Sequence, residues 1–158
     1  MKKRYIAIIV FVVSITVGFL LYPKPIHNNG DTDTSYTKSV NTVVINNTAF
    51  NVDIADNDTD RANGLSGRKF LSDGAGLLFI FDNPGIYPFW MKDMNFPIDI
   101  IWIDENLKVV YIKENALPES YPEIFNPNIK AMYVLEVNSG EVGLNKIKIG
   151  DDVVLNIQ

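Results

Sequence analysis

The chain has 158 residues, 47% of them hydrophobic and 11% aromatic, which predicts one domain with a substantial core. From Asn41 onward there are nine Lys and Arg against seventeen Asp and Glu, a net charge of −8 that argues against nucleic-acid binding. The chain lacks cysteine, and its single histidine is His27 in a polar stretch, which excludes disulfides, thiolate chemistry, Ser-His-Asp catalysis and His-ligated metals. We therefore predict no metal and no cofactor.

An uncharged segment near the N-terminus predicts a membrane anchor. Residues 5–22 contain no charge and would span about 27 Å as a helix, close to the roughly 30 Å hydrocarbon core of a bilayer. Leu20-Leu21-Tyr22 is a poor cleavage site, which favours an uncleaved anchor over a signal peptide. Lys and Arg at positions 2–4 predict that residues 1–4 are cytoplasmic. Polar residues 23–40 predict a flexible linker, and residues 41–158 an extracytoplasmic domain at the cell membrane.

The domain begins with a pattern typical of a β-hairpin and then a short helix. Residues 40–45 and 50–55 are the predicted strands, joined by a turn at Asn46-Asn47. Asp58 or Thr59 is a suitable N-cap for a helix of about two turns that ends near Gly67. Asn46 and Asn57 each begin an N-glycosylation pattern, and the sequence leaves their modification open.

The densest apolar stretch of the domain is residues 76–104. It predicts two buried strands, 76–81 and 97–104, with a turn at 82–85 and an aromatic segment at 87–91 between them. In the second strand Ile98, Ile100 and Trp102 alternate with Asp99, Ile101 and Ile103. Both faces are mostly apolar, so we expect this strand to be covered on both sides.

The C-terminal part predicts more short strands around one long loop. Strands are expected at 109–113, 131–137 and 153–157, with one helical turn within 140–146. Residues 115–130 contain three prolines and form either a functional lid or a cover over a sheet edge through Tyr121 and Phe125. The whole domain is predicted to be all-β, mostly an antiparallel sandwich or barrel-like sheet, with one or two short helices.

Several motifs, in order along the domain, resemble a prokaryotic family known as domain of unknown function 192. They are Asp60-Arg61-Ala62-Asn63-Gly64-Leu65 with Arg68, Gly76-Leu77-Leu78-Phe79-Ile80-Phe81, Phe89-Trp90-Met91-Lys92, Phe96-Pro97-Ile98-Asp99, Tyr133-Val134-Leu135-Glu136-Val137 and Ile149-Gly150-Asp151. The resemblance implies a β-rich domain, often behind a signal or anchor, and brings no activity with it. Many relatives carry a cysteine pair in the loop that corresponds to residues 115–130, and its absence here excludes any mechanism resting on those thiols.

Two carboxylates are expected on apolar strand faces, and the domain has two arginines. Asp99 and Glu136 each need a cation or several donors if they are buried. Arg61 and Arg68 lie seven residues apart in one short segment. We therefore predict one charge cluster, Arg61, Arg68, Asp99 and Glu136, that joins the short helix to the sheet and acts either structurally or as a functional site.

The aromatic segment suggests a second candidate site. Tyr87, Phe89 and Trp90, followed by Lys92 and Asp93, would form an aromatic and polar surface suited to a glycan or a peptide, although core packing is the alternative for the aromatic rings. The function predicted from these features is a binding or accessory module at the cell envelope, with a glycan, peptide or protein as partner. The alternatives are a glycosidase-like hydrolase that uses paired carboxylates and a structural scaffold without a ligand.

Overall fold

The computed structural model describes residues 40–158, so the predicted anchor at residues 5–22 and nearly all of the predicted linker lie outside the described residues. The described elements are the strands β1 (Thr42–Ile45), β2 (Thr48–Ala55), β3 (Ala75–Gly85), β4 (Ile98–Ile103), β5 (Val109–Ala116), β6 (Ala131–Asn138) and β7 (Val153–Asn156), and the helices α1 (Asp58–Asn63) and α2 (Glu141–Leu144). Pro118–Ser120 forms a 3-10 turn. No helix within residues 40–158 is long and apolar enough to span a membrane.

The strands form one curled, seven-stranded sheet, a half-barrel, in the order β5-β4-β6-β3-β2-β1-β7. The expectation of a mostly β fold with short helices is confirmed. The pairing of β2 with β3 is parallel, because the segment that contains α1 carries the chain back to the edge at which β2 started; the other pairs are antiparallel. A sandwich of two stacked sheets does not form among the described residues.

The hairpin of β1 and β2 forms as the sequence predicts. Asn46 and Asn47 have φ angles of 50° and 66°, which asparagine tolerates and which a two-residue hairpin turn requires. The Asn46 side chain also donates a 2.6 Å hydrogen bond to Asp151 Oδ2, at the turn that precedes β7. The same turn residue therefore closes the hairpin and fixes it to the C-terminal part of the sheet.

Strand β4 is buried along its whole length and divides its side chains between two cores, as predicted. Ile101 and Ile103 pack on one face of the sheet, in a cluster completed by the hairpin, β7 and α2. Ile98, Ile100 and Trp102 pack on the other face, in a cluster completed by the segments that follow α1 and β3. This second core forms the floor of the candidate site.

Three boundaries differ from the sequence prediction. α1 begins one residue earlier than expected, because Asn57 is its N-cap: Asn57 Oδ1 accepts a 3.0 Å hydrogen bond from Asp60 N. The turn predicted at residues 82–85 is wrong, because β3 continues to Gly85. The pairing of β3 with β6 shifts register between Ile80 and Gly85, and this irregularity accommodates Pro84, which has no N–H group to donate. β5 likewise continues to Ala116, into the predicted loop.

The remainder of that loop covers part of the second core. Phe125 is buried, and its backbone exchanges hydrogen bonds of 2.8 and 3.0 Å with Phe89. Tyr121 is exposed and does not share this role. Of the two residues that were predicted to cover the sheet, Phe125 is therefore buried and Tyr121 is not.

Candidate functional site

The two buried carboxylates lie on opposite faces of the sheet. Asp99 pairs with Val137 across β4 and β6, whereas Glu136 pairs with Ile100 on β4 and with Leu77 on β3. Residues directly opposite each other in a sheet project to the same face, and neighbours along a strand project to opposite faces. The predicted single cluster of four charged residues is therefore wrong.

Asp99 has backbone partners in place of the expected guanidinium group. Its Oδ1 atom accepts a 2.8 Å hydrogen bond from Asn115 N, and its Oδ2 atom accepts bonds of 3.0 Å and 2.9 Å from Gly140 N and Val142 N. A carboxylate that accepts several N–H groups can remain charged without a cation. Asp99 thus connects the end of β5 and the start of α2 to β4, and its role is structural.

Arg61 joins α1 to the sheet, but it forms a hydrogen bond with neither Asp99 nor Glu136. Its Nη1 atom donates hydrogen bonds of 2.6 Å to Asp56 O and 2.8 Å to Ile80 O, and its Nη2 atom donates a 2.7 Å bond to Asp58 Oδ1. The guanidinium carbon lies 5.6 Å from the centroid of the Phe81 ring. The expected link between helix and sheet exists, but two backbone carbonyls provide most of it.

Arg68 forms a salt bridge with Asp53, at 2.9 Å between Nη1 and Oδ2, and both side chains are well exposed. The structure shows no hydrogen bond between Arg68 and Glu136, but the guanidinium charge acts on that carboxyl group and lowers its pKa. Arg68 therefore influences Glu136 through its electric field.

Glu136 is the unusual group in the described part of the chain. Its side chain is buried, with 5% of the residue exposed, and Oε2 has no hydrogen-bond partner. Burial raises the pKa of Glu136 to about 8, and the charge of Arg68 opposes the shift. Because its sheet neighbours Leu77 and Ile100 are apolar, neither can satisfy the carboxyl group. At neutral pH this side chain is therefore mostly a protonated acid, with an O–H group available to donate.

Glu136 lines a pocket of about 170 Å³ between the end of α1 and the segment that follows β3. Two hydrogen bonds hold these walls together: Ser66 Oγ donates to Lys92 O at 3.0 Å, and Gly67 N donates to Asp93 O at 2.8 Å. The residues around the pocket are Arg61, Ala62, Asn63, Gly64, Leu65, Ser66, Pro88, Phe89, Trp90, Lys92, Met94 and Glu136. Glu136 is the single acidic residue among them.

The predicted aromatic surface is divided between pocket and core. Trp90 is 54% exposed and lines the pocket together with Lys92, as the binding hypothesis required. Phe89 also lines it, but its ring packs edge-on against Phe79 and Trp102, at centroid distances of 4.8 and 5.6 Å.

Tyr87 and Asp93 do not line the pocket. The Tyr87 ring stacks on Phe81 with the centroids 3.5 Å apart, and its hydroxyl group donates a 2.6 Å hydrogen bond to Asn83 O. Asp93 lies at a positive φ of 57° in the turn that receives the Gly67 N–H group. The pocket therefore combines two members of the predicted charge cluster, Arg61 and Glu136, with three members of the predicted binding surface, Phe89, Trp90 and Lys92.

The site also contains residues that were not predicted as functional: Ala62, Asn63, Gly64, Leu65, Ser66, Pro88 and Met94. Asn63 and Gly64 lie in the Asp60–Leu65 motif that carried the family resemblance, which was the available signal. Only the fold shows that this motif faces Glu136, which lies more than seventy residues further along the chain.

The sequence pattern of the family domain of unknown function 192, described as an uncharacterised ACR, matches residues 41–155. The chain belongs to this family. All the residues that line the pocket lie within the range that matches the family. No curated protein sequence matches the chain significantly.

Two crystal structures resemble this family member. A protein of unknown function from Novosphingobium aromaticivorans DSM 12444 is 30% identical, with a TM-score of 0.67 over 72% of this chain and 83% of that chain. A protein from Sinorhizobium meliloti 1021, provisionally described as a transcription regulator, is 27% identical, with a TM-score of 0.69 over 74% of this chain and 94% of that chain. The fold is therefore shared with proteins from other organisms, and neither description supplies a ligand.

Proposed function

We propose that the domain is a glycan-binding module of the cell envelope, which holds one sugar-sized unit of its ligand in the Glu136 pocket. The observation that carries this proposal is the buried Glu136 carboxyl group, whose Oε2 atom lacks a partner while it lines a pocket beside the exposed Trp90. An apolar cavity of about 150 Å³ holds one benzene molecule, so a pocket of about 170 Å³ can take part of a sugar ring, the rest of which would lie outside it beside Trp90.

A binding role accounts for an arrangement that is unfavourable for stability alone. Leaving a buried polar group without a partner costs about 1–3 kcal/mol, and such groups are few in native proteins. A ligand hydroxyl or carbonyl group would supply the missing hydrogen bond. Trp90 offers an aromatic face against which the C–H groups of a sugar ring can pack, while Glu136 and Lys92 orient its polar groups.

The alternatives have less support. A glycosidase-like hydrolase needs two carboxyl groups that flank one bond, and Glu136 is the single carboxyl group among the described residues that line the pocket. A scaffold without a ligand would not explain why Glu136 lacks the arginine partner that a structural role requires. The Sinorhizobium protein is described as a transcription regulator, and a regulator that binds DNA needs a basic surface, whereas residues 41–158 of this chain have a net charge of −8.

Location at the envelope is part of the proposal. The uncharged run at residues 5–22, preceded by Lys2, Lys3 and Arg4, supports a single-pass anchor with a cytoplasmic N-terminus. The polar stretch at residues 23–40 would then tether the domain on the outer side of the membrane. In that position the pocket would meet cell-wall or surface polysaccharides.

The test is a ligand titration of full-length protein labelled with 5-fluorotryptophan and kept in a mild detergent. The chain has two tryptophans, so fluorine NMR should give two signals, which a Trp90→Phe variant assigns. Binding of a saccharide should move the Trp90 signal and leave that of the buried Trp102 in place. A Trp90→Ala variant lacks the reporter signal, so its binding is measured by titration calorimetry, where it should be lost. The control Glu105→Gln, at an exposed position, should retain binding in the same measurement.

The proposal is refuted if no saccharide from a panel of neutral, acidic and amino sugars moves the Trp90 signal. It is also refuted if short peptides move that signal at lower concentrations than any sugar does. The unmoved Trp102 signal shows in each case that the core of the domain is folded.

A further inference from the structure

We propose that the sugar unit bound in the pocket is acidic, and that its carboxylate shares a proton with Glu136 while Lys92 neutralises its charge. This inference rests on the proposed glycan-binding function and adds the chemical class of the ligand. It follows from three properties of the pocket: the sign of its charge, the kind of hydrogen-bonding group that Glu136 offers, and the number of free donors.

Among the described residues, two cations line the pocket with Glu136, and Lys92 is the one without an acidic partner, because Arg61 pairs with Asp58. Outside the lining, Arg68 pairs with Asp53. Arg61, on the α1 side, and Lys92, on the opposite wall, both line the pocket, and the charge of Arg68 acts on Glu136 from the segment after α1. The strands on either side of Glu136 present Leu77 and Ile100, which carry no charge. An amino sugar would bring a further cation into this field, whereas an anion is attracted to it.

Glu136 is suited to an anionic ligand because it can donate a proton. Burial keeps this side chain protonated at neutral pH, so that it offers an O–H group instead of a negative charge. A hydrogen bond from an acid O–H group to a carboxylate is short and strong, as in other pairs of carboxyl groups that share one proton. The orphaned Oε2 atom would then belong to a satisfied acid–carboxylate pair.

The supply of free donors favours a carboxylate over a phosphate. The Arg61 guanidinium group already donates to Asp56 O, Ile80 O and Asp58 Oδ1, so its N–H groups are largely occupied. Lys92 is an exposed residue without a salt bridge among the described contacts, and it is free to pair with a ligand. One ammonium group and one acid O–H group match a singly charged carboxylate, whereas a phosphate dianion calls for more donors.

The sugar character of the ligand depends on Trp90. This side chain is 54% exposed at the edge of the pocket, where a ring bound to Glu136 and Lys92 could lie against it. A uronic acid combines the two requirements, because its ring carries the carboxylate as a direct substituent. Acetate has the same charged group and no ring, which makes it a matched probe for the contribution of Trp90.

The experiment compares D-glucuronate with methyl glucoside, glucosamine, glucose 6-phosphate and acetate, using the Trp90 fluorine signal of the full-length protein. Glucuronate should bind at least about tenfold more tightly than the other four probes, as expected for one good charge-assisted pair. Its affinity should fall by up to about tenfold per pH unit above pH 8, because the complex needs the Glu136 proton.

Two conservative variants separate this mechanism from a structural effect. Glu136→Gln keeps an N–H donor that does not titrate, so it should bind glucuronate with little change across the same pH range. Lys92→Met should lose the preference for glucuronate over methyl glucoside, whereas Lys130→Met, at an exposed position away from the pocket, should retain it.

The outcomes distinguish this inference from the proposed function. If methyl glucoside binds as tightly as glucuronate, the acid–carboxylate pair is refuted and glycan binding stands. If acetate binds as tightly as glucuronate, the assignment to a sugar is wrong. If glucose 6-phosphate binds as tightly, the assignment to a carboxylate is wrong. If no sugar moves the Trp90 signal, the inference and the proposed function both fail.

Discussion

Replacing Glu136 with glutamine should change how the stability of the domain depends on pH. Burial raises the pKa of Glu136 from 4.5 to about 8 in the folded chain. Between these pH values the folded chain holds a proton that the unfolded chain has released, so the unfolding free energy falls as the pH rises. The contribution of the protonated side chain is fully present below pH 4.5 and is lost as the pH passes about 8.

The size of the effect follows from the same two values. Across the whole window the contribution of Glu136 to the unfolding free energy falls by an amount on the order of 5 kcal/mol. Glutamine has nearly the same shape and does not titrate. The variant should therefore match the native sequence near pH 5, within about 1 kcal/mol, and be more stable by several kcal/mol above pH 8.

The assay is urea unfolding of a fragment of residues 40–158 in a Trp90→Phe background, so that the fluorescence reports on the buried Trp102. Midpoints measured at several pH values give the slope for each protein. Glu105→Gln is the matched control, because it removes an exposed carboxyl group from the same fragment, and its profile should run parallel to that of the native sequence. Parallel profiles for Glu136→Gln as well would mean that Glu136 is solvated and ionised, and the description of the pocket would be wrong.

Three further predictions follow from the charged residues and the N-terminal segment. Asp99→Asn should lower stability by about 3–5 kcal/mol in the same urea assay, since an amide cannot accept all three backbone N–H groups; a loss below 1 kcal/mol would contradict this. Arg61→Lys should cost about 2–3 kcal/mol, because one ammonium nitrogen cannot take the place of two guanidinium nitrogens that bond three separate acceptors. Arg68→Lys should cost less than about 1 kcal/mol, because lysine can keep an exposed ion pair with Asp53; equal losses would refute the difference. Mass spectrometry of membrane-extracted protein should find residues 5–22 still attached, whereas a mature N-terminus within residues 21–28 would reveal a cleaved signal peptide.

The composition of the candidate site shows where sequence reasoning was sufficient. Period-two alternation identified Glu136 as a carboxyl group on an apolar strand face, and the aromatic segment identified Trp90 and Lys92 as candidates for ligand contact. Each inference depends on residues close together in the sequence. The combination of Glu136 with Trp90 in one pocket could not be predicted, because it depends on the position of β6 between β3 and β4.

The sequence by itself determined the local elements of this protein: the hairpin at Asn46-Asn47, the two-sided burial of β4 and the absence of thiol and imidazole chemistry from the domain. These features follow from side-chain type and short-range periodicity. Only the tertiary structure decided the partners of the charged groups. Asp99 and Glu136 lie on opposite faces because β4 and β6 pair Asp99 with Val137, and a register shift of one residue would have placed both carboxylates on the same face. A register depends on the packing of the whole sheet, which is why the same two carboxylates became a satisfied structural link at Asp99 and an unsatisfied acid in a pocket at Glu136.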